Sequence, residues 1–221
     1  MCRFLMVKSN FDFQPGELAL AFSEMCRKSR SLEGDWQGDG WGLAYLADDS
    51  NWVVKKSTKP VWEEKATFKS LPAGRFFLFH ARSSSFPEQR NCLDYNQPFC
   101  SGPYSFVFNG FIKGICLPFP VKGEIGSQKI WNMLQSYLKS EPPEEALGRL
   151  KETIIKHSRG VQAMNIGLAD KQNIYALCYY SSHPEYYALW SFESLSLKLI
   201  SSEPLPIYDF KPLASGAILN L

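Results

Sequence analysis

A thiol stands one residue in from the start of the chain: Met1-Cys2-Arg3, followed at once by an apolar run. Methionine aminopeptidases remove an initiator Met that precedes a small residue. Cys2 would then carry its thiol and a free α-amine on one residue. Such an amine has an ordinary pKa of ~7.7–8.0. It can take the thiol's proton near neutral pH without a histidine, which makes a nucleophile with its own base. Otherwise Cys2 is a small apolar residue that opens a strand. Three further stretches could serve the same chemistry. In FHARSSS, an apolar run delivers Arg82 at the point where the pattern turns polar. An Arg there can clamp a carboxylate through two parallel N–H groups, or it is a solvated surface residue. In FVFNGF, the Asn109 side-chain amide beside the Gly110 backbone N–H makes two adjacent donors, as a tetrahedral oxyanion requires. Asn-Gly is equally a hairpin turn, or a bend where backbone approaches something closely. In GDGWGLA, the glycine spacing resembles a phosphate-binding loop, but that motif follows a buried strand and opens a helix. Here polar residues precede it and a strand pattern follows, so nucleotide binding is set aside. His80 lies inside the apolar run and reads as a core histidine rather than a base.

The elements that must position these residues are legible as periodicities. Residues 3–8 read as a strand, and residues 15–28 as an amphipathic helix with Leu18, Ala21, Phe22 and Met25 on one face. Gly34, Gly38, Gly40 and Gly42 mark turns. A hairpin follows, from Leu43–Leu46 to Trp52–Lys56, with Asp48, Asp49, Ser50 and Asn51 as its turn. Arg75–Ala81 is apolar enough to be a strand buried on both faces, and Tyr104–Ile112 is another strand. In the middle, Ile130, Trp131, Leu134, Tyr137 and Leu138 share a helical face. Glu144–His157 forms a second helix, started by Pro142-Pro143. Strands return at Ala163–Ala169, Ile174–Tyr180, Tyr186–Phe192, Leu197–Ser201 and Ala217–Leu219. Strands, two central helices, then strands fit a single α+β domain over residues 1–221 rather than an alternating α/β sheet.

Composition removes several function classes. The net charge is +2 and the longest basic run is Lys55-Lys56, which gives no nucleic-acid footprint. The six cysteines form no CxxC pair and only three histidines accompany them, so no metal site is expected. No stretch approaches ~18 apolar residues, so no membrane span is expected. No cationic region precedes an apolar stretch of roughly 7–15 residues, so no signal peptide is expected. Free thiols then fit a cytoplasmic protein.

MCRFL, GDGWGLA, FHARSSS, NQPF, FNG and SSEPL occur in this order between residues 1 and 205. Together they resemble the type-2 (class II) glutamine amidotransferases of the N-terminal-nucleophile hydrolase superfamily, in particular the short stand-alone members that begin MCR. The resemblance implies a four-layer αββα sandwich with two antiparallel sheets between helix layers. It implies Cys2 as nucleophile, its freed α-amine as base, and Asn109 with Gly110 as oxyanion donors. It implies that Arg82 grips a substrate α-carboxylate, with Ser83 and Gln97 beside it. The reaction would release ammonia or an amine from a γ-glutamyl amide through a γ-glutamyl thioester, with no cofactor and no metal. Ammonia, if passed on, would go to a separate synthase. The chain departs from the family where THPF is common and NQPF stands, so Gln97 replaces a histidine. It departs again where HNG is common and Phe108 precedes Asn109. It departs most at the DSE motif, whose acid binds the substrate α-ammonium. Here the aligned stretch is GEIGSQKI, which puts Gly126 at the acid's position and Gln128 at the Glu. Losing a hydrogen-bonded charge partner in a binding site costs about 2–5 kcal/mol. Free glutamine should then bind poorly unless Glu124 substitutes. Three readings follow: a hydrolase for another or an amine-modified γ-glutamyl compound, a glutaminase with a relocated acid, or a catalytically degenerate module that binds a ligand or protein.

Overall fold

The computed structural model describes residues 1–29, 36–47 and 51–221. Seven strands make one sheet: β1 (Arg3–Phe13), β2 (Trp41–Ala47), β3 (Asn51–Ser57), β4 (Gly74–Ala81), β9 (Trp190–Glu193), β10 (Leu197–Ser201) and β11 (Lys211–Pro212). Their spatial order is β11-β9-β10-β1-β4-β2-β3. Five strands make the other: β5 (Phe99–Ser101), β6 (Tyr104–Lys113), β7 (Gly160–Ala169), β8 (Ile174–Leu177) and β12 (Ile218–Asn220), in the order β12-β8-β7-β6-β5. The pairings within both sheets are antiparallel. The helices are α1 (Gly16–Arg27), α2 (Lys65–Lys69), α3 (Gly126–Tyr137), α4 (Pro143–Lys156) and α5 (Pro184–Tyr187).

The side chains sort into three apolar layers, and these define the sandwich. On β1, Leu5 and Val7 turn outward to meet Leu18 and Phe22 of α1. Phe4 and Met6 turn inward, where they share a cluster with Val107 of β6 and Ala176 of β8. The second sheet's outer face carries Phe106 and Ile166 against Ile130 and Leu134 of α3 and Leu147 and Leu150 of α4. Each such buried Leu or Phe contributes roughly 1.5–3 kcal/mol. Both faces of β1 and β4 are covered, so their sequences read as continuous apolar runs rather than alternations. The order of layers is helix, sheet, sheet, helix, the αββα sandwich expected.

Element positions agree with the periodicities in most places, with instructive exceptions. Asn109-Gly110 is no hairpin turn: β6 runs straight through it, pairing Asn109 with Asn165 and Gly110 with Met164. The segment Tyr186–Phe192 is not one strand. His183 adopts a left-handed conformation (φ 54°) and Pro184 opens the single turn of α5, so Tyr186 and Tyr187 are helical and β9 begins only at Trp190. Likewise β8 ends at Leu177 instead of reaching Tyr180. The Cys178 N–H is drawn away to the Ala217 carbonyl, and Tyr180 keeps only an isolated bridge to Ala163. Gly34 and the Asp48–Ser50 part of the expected hairpin turn lie outside the described residues.

The glycine-rich approach to β2 is shaped by close contact with the backbone, not by a phosphate. Gly40 has a φ of 111°, a left-handed conformation that favours glycine. A Cβ at Gly42 would lie 2.1 Å from the Gln97 carbonyl oxygen. The two motifs GDGWG and NQPF are thus locked together. Gly42→Ala should cost about 1–3 kcal/mol of stability through overpacking, read as a lower urea midpoint at unchanged m-value.

Candidate active site

Cys2 lies just before β1, and β4 delivers Arg82 and Ser83 alongside it. In register terms Arg3 pairs with Ala81, so the residues that follow β4 run past the residue that precedes β1. The Ser83 backbone N–H donates to Cys2 Sγ over 3.4 Å, and the thiol lies 3.6 Å from the Ser83 carbonyl oxygen. The loop after β4 is held in turn by Asp39. Its carboxylate accepts the Ser84 N–H (2.7 Å) and meets Arg90 (3.3 Å), while its own N–H donates to the Arg82 carbonyl.

A cavity of about 380 Å³ opens beside the thiol, with Cys2, Arg82, Ser83, Gln97, Gly110 and Gly126 in its wall. Arg82 is 4% exposed. Its Nη1 donates to the Gln89 carbonyl (2.7 Å), its Nη2 to Ser84 Oγ (3.3 Å), and its guanidinium lies 5.6 Å from the Tyr95 ring centre. Those bonds use two of the five N–H donors of a guanidinium.

Below the thiol lies a buried ion pair. Arg3 Nε and Glu203 Oε1 are 2.6 Å apart, and Ser29 also donates to this carboxylate. Arg3 Nη1 donates to the Cys2 carbonyl over 3.1 Å, and the guanidinium lies 4.7 Å from the Tyr186 ring centre. Burial by itself would lower the Arg3 pKa, but Glu203 and Tyr186 outweigh it, and the group is held above its ordinary value. The pair joins MCRFL to SSEPL, two motifs separated by nearly the whole chain.

No protein-family model and no curated protein matches this sequence. Solved structures do match. A glutamine aminotransferase class-II domain protein from Silicibacter pomeroyi is similar over 99% of this chain and 94% of its own, with a TM-score of 0.65 at 18% identity. A "predicted glutamine amidotransferase" from Pseudomonas aeruginosa gives 0.56 at 14% identity, over 99% of this chain and 96% of that one. Glutamine phosphoribosylpyrophosphate amidotransferase from B. subtilis gives 0.70 at 10% identity, over 99% of this chain and 47% of that one.

This is the class II glutamine amidotransferase fold. Within it, the residues expected from sequence separate into two groups. Cys2, Arg82, Ser83, Gln97, Gly110 and Gly126 meet in one cavity wall. Asn109 and Glu124 do not line it. The Asn109 side chain is 2% exposed and shares the inward face of β6 with Val107; its Oδ1 accepts no hydrogen bond among the described residues. Glu124 is exposed outside the cavity, where it accepts the Tyr95 hydroxyl (2.7 Å). Gln97 lines the cavity but spends its amide on the Phe108 backbone, accepting its N–H (2.5 Å) and donating to its carbonyl (3.3 Å). Where the family commonly has a histidine, this chain uses a side chain that mimics a neighbouring strand and braces β6 just before Asn109.

His80 is a core residue of this amidotransferase-type fold, as its apolar setting implied. Burial pushes its pKa down to about 3, against which the Phe108 backbone carbonyl acts only in part. It is neutral at physiological pH and too weak a base to activate a thiol. Burial also raises the thiols of Cys26, Cys100 and Cys178, the last to about 11. Among the described residues no three His, Cys, Asp or Glu side chains are grouped as a metal would require, and no helix is long and apolar enough to cross a membrane.

Sequence reasoning missed Glu203 and Gln37. Glu203 sat in a quoted motif without a role, because nothing local announces a partner two hundred residues away. Gln37 is fully buried and its Nε2 donates to the Met1 carbonyl (3.0 Å). Its polar type two residues before Asp39 was the available signal. Glu203→Gln should destabilise the protein by about 3–5 kcal/mol, because the Arg3 charge stays buried without its counter-ion. Denaturant unfolding checks this, and Arg3→Met combined with Glu203→Leu should recover part of the loss.

Proposed function

We propose that this protein is a glutamine amidotransferase-type amidohydrolase that cleaves γ-glutamyl amides with Cys2 as nucleophile. The observation that carries this reading is the Cys2 thiol in the cavity wall, under the Ser83 N–H and alongside Arg82 and Gly110, in a fold shared with class II amidotransferases.

Removal of Met1 would expose the Cys2 α-amine. Gln37 would then lose the carbonyl that its Nε2 now holds. Its Oε1, buried and without a donor among the described residues, would be placed to accept from the new amine. The amine takes the thiol proton, and the sulfur attacks the γ-carboxamide carbon. Negative charge develops on the carbonyl oxygen, for which the Gly110 N–H in the cavity wall is the proposed donor; the Asn109 amide, expected from sequence as the second, would have to turn out of its buried face to reach it. Collapse breaks the C–N bond, and the ammonium of Cys2 returns the proton to the leaving nitrogen. Ammonia or an amine departs and leaves a γ-glutamyl thioester. A water, deprotonated by the same amine, hydrolyses the thioester and regenerates the thiol. Arg82 orients the substrate through its carboxylate. The chemistry needs no cofactor, and any acceptor of the ammonia would be a separate synthase. The setting is proposed to be cytoplasmic.

Expression with normal N-terminal processing should yield a chain lacking Met1 by intact mass. Cys2→Ala should abolish ammonia release from γ-glutamyl amides while leaving the circular dichroism spectrum and unfolding midpoint in place. Unchanged turnover in that variant would sink the assignment.

Gly126 occupies the position of the family's ammonium-binding acid. A Cβ there would have no atom within 4 Å, so a side chain can enter. Gly126→Asp should raise kcat/KM for free glutamine by roughly tenfold or more, in line with the worth of a charge partner.

A further inference from the structure

A second cavity, of about 390 Å³, adjoins the one beside Cys2. The two share Ile112, Ile115, Gly126 and Ile130 as walls. Beyond that junction the second cavity is lined by Leu117, Phe119, Val121 and Met133, with Lys129 its one charged residue among those described. Phe119 is 42% exposed, although it is a large apolar side chain. The first cavity has Arg82 as its charged residue, and among the described residues neither wall holds an Asp or Glu.

This charge distribution decides what the amine side of a substrate can be. A carboxylate has Arg82. A free α-ammonium has no counter-ion in either wall and would share the space with a guanidinium, so it would be desolvated without compensation. An amide nitrogen in the same place carries no charge. The acyl group attached to it would have to go somewhere. The missing side chain at Gly126 leaves the junction open toward an apolar volume of the size that ordinary ligands fill.

We propose that the preferred substrate is a glutamine-like amide whose α-nitrogen is capped by an aliphatic acyl chain, the chain lying in the second cavity past Gly126. The carboxylate meets Arg82, the γ-carboxamide meets Cys2, and the acyl carbons lie among Ile115, Leu117, Phe119 and Ile130. This rests on the assignment of Cys2 as nucleophile.

The test is the rate at which Cys2 of the processed full chain is alkylated by the diazoketone analogue of glutamine, and by its N-acetyl and N-hexanoyl derivatives. Each adds to sulfur through carbon with loss of N2 and is read by peptide mass. Burial of a methylene is worth about fourfold in affinity. Labelling by the N-hexanoyl probe should therefore be at least roughly tenfold faster than by the N-acetyl probe at subsaturating concentration, and faster than by the free amine. Phe119→Asp, a change at a half-exposed loop position, should cut the hexanoyl-to-acetyl ratio at least roughly fivefold. Labelling by the free-amine probe as fast as by the N-hexanoyl probe would overturn the acyl-site proposal and leave the nucleophile in place. No labelling of Cys2 by any of the three would overturn both.

Discussion

The site depends on one buried ion pair. Arg3 follows Cys2 directly, and its guanidinium holds the Cys2 carbonyl while Glu203 neutralises it from below. Two charges taken out of water are costly unless geometry and further hydrogen bonds compensate. Here the compensation comes from Ser29 on the carboxylate and from the Cys2 carbonyl and Tyr186 ring on the guanidinium. The arrangement makes the backbone of Cys2 part of the core although its side chain faces a cavity. It also ties the first strand to the turn after β10, so residues far apart in the sequence meet beside the Cys2 thiol.

A second set of contacts carries that order across to the other sheet. The loop before β2 is pinned to the loop after β4 by Asp39; Gly40 in that loop admits the Asn96 side chain, and Gly42 in β2 admits the Gln97 backbone. Gln97 then clasps the Phe108 backbone of β6. The cavity wall is therefore braced by short polar contacts running from one sheet to the next, each of which needs a particular residue type. The replacement of a histidine by Gln97 is tolerable in this light. An amide supplies one donor and one acceptor to a strand edge, which is what the Phe108 peptide asks for.

The electrostatics of the cavity are one-sided. Arg82 is the charged residue of its wall, and no Asp or Glu joins it among the described residues. Glu124, the nearest sequence candidate for a relocated acid, is engaged outside with Tyr95. Apolar residues of the 111–125 segment and the start of α3 line the second cavity beside the first. The thiol, its backbone donor and Arg82 stay in one wall.

Much of this was legible in the residues alone. The strands and helices follow from apolar periodicity, since each has to bury one face or two. The candidate nucleophile and Arg82 are local facts of residue type and order, and the loss of an acid at Gly126 is what the family resemblance implied. Where local reading failed, a distant contact had overruled it. Asn109-Gly110 stays extended because β7 pairs with it. Tyr186 and Tyr187 leave the strand because His183 and Pro184 turn the chain. Glu203 acquires its role from Arg3, and Gln97 from Phe108. The sequence by itself determined most of the strands and helices and the chemistry-bearing side chains, because those depend on apolar periodicity and residue type, while the layer order and the acid missing at Gly126 were what the family resemblance implied. Only the tertiary structure decided which side chains share a wall, which spend their polarity on backbone, and that an apolar cavity lies behind Gly126. Those depend on which surfaces meet when two sheets stack, and no run of neighbouring residues encodes that.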